Sequence, residues 1–139
     1  MPQIKNVRKT ELCGESFKSR LEAQAYIFMK PLFDHVGYEE TTFVLQESYY
    51  PESDIYAPDK KTKRLKLHKE KIRDIKYTVD FTVVHNGITY YVETKGMVQE
   101  LYALKKKILF KDRNIVFFEV HNKRQLMEAI EMIKKQQKN

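Results

Sequence analysis

The chain has 139 residues, 42% of them hydrophobic and 32% charged, with a formal net charge of +7. That length suits one domain with a real core rather than two, and the basic balance points to an anionic partner, nucleic acid first. The single cysteine, Cys13, excludes a disulfide framework and a thiolate zinc site; with no signal-peptide core and no apolar run near the roughly 20 residues of a membrane span, the expected setting is cytoplasmic and away from membranes.

Residues 1–16 are polar and basic without a period and read as an N-terminal segment outside the domain. Ser19-Arg20-Leu21-Glu22 then matches a capping box, and Phe17, Leu21, Ala25, Phe28 and Leu32 follow at helical spacing. Pro31 ends that helix. The β-rich run 41–50 predicts a first strand closed by Pro51. Residues 51–71 read as a long charged insertion carrying Pro58 and a lysine-rich run, of the kind that is functional or disordered. A second strand over 72–84 and a third over 88–94 follow. Beyond Gly96, Val98, Leu101, Tyr102, Ile108 and Leu109 share one helical face, with Lys105 inside the stripe. The apolar run 115–120 predicts a strand covered on both faces. Asn122 caps a closing helix with Leu126, Ala129, Ile130 and Ile133 on its apolar side, and 136–139 fray. The order is α, β, β, β, α, β, α in a single domain over 17–135.

Asn86-Gly87, between two runs rich in Val, Ile, Thr, Tyr and Phe, is the strongest two-residue signal for a type I′ hairpin turn, since both residues tolerate positive φ. A two-residue loop there makes paired positions sum to a constant. Asp80 then falls opposite Glu93, and Lys95 shares their face. Two carboxylates with Cβ atoms about 4.5–5.5 Å apart repel unless a cation sits between them. Mg²⁺ suits one or two carboxylates, its other positions being filled by water and phosphate oxygens.

The constellation Asp80…Glu93-Thr94-Lys95, with Glu22 on the preceding helix, resembles the active site of the PD-(D/E)xK nuclease superfamily. The local sequences Phe17-Lys-Ser-Arg-Leu-Glu22 and Val92-Glu-Thr-Lys-Gly96 are most similar to the phage-type endonuclease I branch, the four-way-junction resolvases. Val79 stands where the family has a proline. The resemblance spans roughly residues 17 to 120 and implies an α/β fold with a restriction-endonuclease-like αβββαβ core, a mixed central sheet flanked by helices. It implies a Mg²⁺-dependent endodeoxyribonuclease, with Mn²⁺ able to substitute, acting on branched DNA as a homodimer, and cytoplasmic in a bacterial host if phage-encoded.

By the same resemblance Asp80, Glu93, Lys95 and Glu22 are the catalytic residues. Asp80, Glu93, the Thr94 carbonyl and Glu22 are the metal ligands, although Glu22 also has a helix-capping occupation. Lys63, Arg64, Lys66, Arg73 and Lys105 are the expected DNA contacts, making affinity salt-dependent. His35, His68, His85 and His121 show no zinc spacing, and the absence of a Gly-rich phosphate loop argues against a nucleotide cofactor. A sequence- or partner-guided nuclease of restriction or transposon-end type keeps the same chemistry with another target. A non-catalytic nucleic-acid-binding module is a further alternative.

Overall fold

The computed structural model describes residues 10–12 and 15–136. In chain order the elements are β1 (Thr10–Leu12), β2 (Glu15–Phe17), α1 (Arg20–Met29), β3 (His35–Tyr38), β4 (Thr42–Gln46), β5 (Ile55–Pro58), β6 (Leu65–His68), β7 (Ile75–Thr78), β8 (Phe81–His85), β9 (Ile88–Thr94), α2 (Glu100–Phe110), β10 (Val116–Val120) and α3 (Lys123–Lys135). They fall into two compact units. One is built from the chain up to Thr42 and from Thr78 onward, the other from Phe43–Tyr77.

The first unit is α/β. Its mixed sheet has the order β10-β9-β8-β3, parallel between β10 and β9 and antiparallel elsewhere, and α1-β3-β8-β9-α2-β10 has the expected αβββαβ order. The β8–β9 turn is type I′, with φ of 53° at Asn86 and 79° at Gly87. It pairs His85 with Ile88 and Phe81 with Val92, the register that turn chemistry dictates. Phe81, Val83, Tyr90 and Val92 therefore share one face of the sheet. There they form one core with Tyr26 and Met29 of α1 and Leu126, Ile130 and Ile133 of α3.

The closing helix follows its sequence pattern. Asn122 caps it through a bond from the Gln125 N–H, and Leu126, Ala129, Ile130 and Ile133 are its buried residues. Leu126→Ala is expected to cost about 2–5 kcal/mol; urea unfolding should show a lower midpoint with an unchanged m-value.

Several local expectations are overturned. Phe17 belongs to β2, not to the first helix, although it remains in the core. The described part of the N-terminal segment pairs as the β1–β2 hairpin, and residues 1–9 lie outside the described residues. The first core strand is His35–Tyr38, whereas the run 41–50 yields β4 in the other unit. The strand over 72–84 is broken at Val79-Asp80 into β7 and β8. β10 lies at a sheet edge and is only half-buried, so it is not covered on both faces. On α2 only Tyr102 and Leu109 are buried, leaving Leu101 and Leu104 exposed. Of the tail expected to fray, Gln136 caps α3, and 137–139 lie outside the described residues.

In the second unit β4 pairs with β7, and a bridge joins Tyr49 to Ile72. The charged insertion is structured: β5 and β6 form an antiparallel ribbon within it. Among the described residues no helix is long and apolar enough to cross a membrane.

Candidate active site

Asp80 immediately precedes β8, and Glu93 is the penultimate residue of β9. One step beyond the Phe81–Val92 pair, the register sets Asp80 opposite Glu93. The Asp80 main chain is held from two directions. Its N–H donates to Glu93 Oε1 at 3.1 Å, and its carbonyl accepts from the Glu39 N–H at 2.7 Å. Thr94 fixes the side chain: its N–H (2.9 Å) and hydroxyl (2.8 Å) both donate to Asp80 Oδ2, and Oδ1 takes neither bond. All three residues are buried, Glu93 with 2% of its surface exposed.

This burial sets the electrostatics. Desolvation pushes the Asp80 carboxyl up, the charges of Glu93 and Glu22 add to it, and the Thr94 bonds offset only part, leaving its pKa at about 7. Lys95 is the nearest compensation, its Nζ lying 3.3 Å from Glu93 Oε2 with 30% of the side chain exposed.

Glu22 joins the site as a charge and is bonded elsewhere. Ser19 is the N-cap of α1 and accepts from the Glu22 N–H at 3.1 Å, as the capping pattern predicts. The reciprocal bond differs: Glu22 Oε1 accepts from the Lys18 N–H (2.8 Å), not from that of Ser19, and also from the Tyr38 hydroxyl (2.9 Å). Burial and Glu22 together raise the Tyr38 phenol pKa. Among the described residues no group of three or more His, Cys, Asp or Glu side chains is placed to hold a metal ion. Asp80 and Glu93 face one another, while the Glu22 carboxylate is engaged by Lys18 and Tyr38.

A second polar cluster, centred on Glu119, lies beside this pair. Glu119 of β10 is in parallel register with Glu93. Its Oε1 accepts from the Tyr102 hydroxyl (2.8 Å) and Lys106 Nζ (2.6 Å) of α2, and Oε2 lies 2.6 Å from His121 Nε2. Burial pushes Glu119 up, but the bonds from Lys106, Tyr102 and His121 outweigh it and hold its pKa at about 2. The Tyr102 ring supports two ammonium groups, Lys95 Nζ at 4.5 Å and Lys106 Nζ at 5.1 Å from its centroid. Tyr102 and Lys106 stand one turn apart, a spacing visible in the sequence; their shared partner across the fold is not. Lys105, the lysine expected to contact DNA, is half-buried and makes no ion pair among the described residues. Lys63, Arg64, Lys66 and Arg73 are exposed in the second unit.

Residues 4–134 match a family model described as Protein of unknown function (DUF1064). No curated protein and no solved structure matches the chain.

Proposed function

The chain belongs to the DUF1064 family, whose description assigns no activity, and we propose that it is a metal-dependent endodeoxyribonuclease that cleaves branched DNA. The observation that carries this reading is the buried Asp80–Glu93 pair with Lys95 at its exposed side.

A buried acid pair with one adjoining lysine is short of positive charge, and burial together with the Glu93 and Glu22 charges raises the Asp80 pKa, which favours a proton on the pair. A hard divalent cation can replace that proton, and two carboxylates fit Mg²⁺ or Mn²⁺ with water and phosphate completing the shell. Bound there, the ion would supply Lewis-acid stabilisation of phosphate oxygens and a more acidic water. Asp80 and Glu93 would hold it; Thr94 keeps Asp80 Oδ2 in place. The Lys95 ammonium, steadied against Glu93 and the Tyr102 face, orients the attacking water and offsets charge building on the phosphate. Glu22 contributes negative charge from the start of α1. Exposed Lys63, Arg64, Lys66 and Arg73 supply sequence-independent backbone affinity. The described residues of one chain form one such site, so paired cuts across a junction need two copies.

Incubation with linear duplex, supercoiled plasmid, single strand, flap and four-way junction, in Mg²⁺, Mn²⁺ or EDTA, tests the reading. The expected result is junction cleavage with either metal and none in EDTA. If neither metal supports cutting of any substrate, the enzyme reading fails. Linear duplex cut as readily as junctions would remove the branch preference and favour a sequence- or partner-guided nuclease.

A further inference from the structure

The β5–β6 ribbon has one face of aliphatic and aromatic side chains. Its register pairs Tyr56 with Leu67 and Pro58 with Leu65, and because side chains alternate along a strand these four residues share a side. All are exposed, Tyr56 at 63%, Leu65 at 72% and Leu67 at 41%. The other side is tied down by polar contacts: His68 Nε2 lies 3.1 Å from the Ala57 carbonyl, and Lys66 Nζ lies 3.5 Å from Asp59 Oδ1. Single exposed apolar residues are ordinary, whereas a contiguous exposed face whose one polar atom is the Tyr56 hydroxyl marks a contact surface.

The loop joining the two strands has a defined conformation. Asp59 Oδ2 accepts from the N–H groups of Lys61 and Thr62, both at 3.0 Å. The Asp59 N–H donates to the Arg64 carbonyl at 2.8 Å, the Asp59 carbonyl accepts from the Lys63 N–H at 2.9 Å, and Lys63 takes a left-handed φ of 66°. Lys60, Lys61, Lys63 and Arg64 are thereby presented at the tip, all exposed and none ion-paired among the described residues.

We propose that this ribbon is a base-reading arm, which sets its tip cations on phosphates and its apolar face, Leu65 foremost, against unstacked DNA bases. An unstacked base offers an apolar π-face beside a charged backbone, the complement of apolar ribbon and basic tip. Leucine and proline serve elsewhere as wedges between base steps. In B-form duplex those base faces are hidden and must be unstacked at a cost, so the arm favours DNA in which they are already open, as at a branch point or in a single strand. A second copy of the chain fits less well. It would bring the same cations, and four side chains cover well under the roughly 800 Å² per partner of a standard interface. The inference rests on the reading that the chain acts on DNA, and it assigns the element that would recognise open bases.

Binding in EDTA tests it, using a four-way junction with 2-aminopurine at the branch point and a linear duplex of matched length. Wild type should raise the 2-aminopurine fluorescence on binding the junction. Tyr56→Ser/Leu65→Ser should lose that rise and bind the junction about tenfold more weakly, with an unchanged salt slope and duplex affinity within about twofold. Lys61→Ala/Lys63→Ala should weaken both DNAs alike and lower the salt slope by about 2. Tyr56→Phe/Leu65→Met should bind as wild type, and an unaltered melting temperature shows that each variant folds. Equal loss on both DNAs, or no loss, overturns the arm; so does a wild-type dimer that the serine variant converts to monomer, which would make the face a contact between copies. Cleavage is not read here: junction binding by wild type without cutting in Mg²⁺ would sink the hydrolysis reading and leave the arm standing.

Discussion

Asp80→Asn is expected to raise the melting temperature at pH 8 while abolishing metal-dependent cleavage. The folded-state pKa of Asp80 is raised from 3.8 to about 7. Below pH 4 the carboxyl is protonated in both folded and unfolded chains and costs nothing. Between pH 4 and 7 the unfolded chain gives up the proton that the folded chain retains, so stability falls as pH rises, and above pH 7 the whole cost is present. The displacement from 3.8 to about 7 corresponds to about 4 kcal/mol at most.

An asparagine removes the charge but keeps a polar group to bury, so the net gain at pH 8 is about 1–3 kcal/mol, or roughly 3–10 °C. Thermal melts in EDTA at pH 4 and pH 8 check this. The variant should exceed wild type at pH 8, with the gap closing at pH 4; a variant destabilised equally at both would show that the Asp80 charge is not a burden to the fold. Mn²⁺ should stabilise wild type by about 2.7 kcal/mol at a hundredfold excess over its Kd, and at one fixed Mn²⁺ concentration more strongly at pH 8 than at pH 6, because the ion must displace the proton. Asp80→Asn should lose that response.

Lys95→Ala is expected to lower the cleavage rate by about 10²–10⁴ while leaving junction binding in EDTA within about threefold. The ammonium lies against Glu93 and over the Tyr102 ring, where in the proposed reaction it would act on charge that develops only during phosphodiester cleavage. Single-turnover rates beside binding isotherms separate the two effects. Weaker binding in proportion to the lost rate would make Lys95 a phosphate anchor. Tyr102→Phe keeps the ring under the ammonium and should keep most of the rate, whereas Tyr102→Leu removes the ring and should cost about tenfold. Equal rates in the two would place Tyr102 outside the positioning of Lys95.

The features legible in the sequence are those with local causes. Ser19 and Asn122 cap α1 and α3 because their side chains reach an N–H three residues on. The buried face of α3 follows from helical period alone. Four-residue β3, by contrast, contains Gly37 and His35 and has no alternation strong enough to read. It becomes a core strand by pairing with β8, more than forty residues later. Glu119 is illegible for the same reason: its parallel pairing with Glu93 runs through the whole of α2 and leaves no nearby signal. The β5–β6 ribbon was hidden by its charge, since the lysines that mark a solvated loop also occupy its structured tip.

The sequence by itself determined that Asp80 faces Glu93. Asn86 and Gly87 accept positive φ where most residues do not, a two-residue turn allows one register, and register decides which side chains meet. Tertiary structure alone decided what surrounds the pair. Burial raised the Asp80 pKa to about 7, Lys18 and Tyr38 engaged Glu22, and α2 brought Tyr102 beneath Lys95. Those outcomes depend on desolvation and on contacts between residues far apart in the chain, which no local pattern encodes.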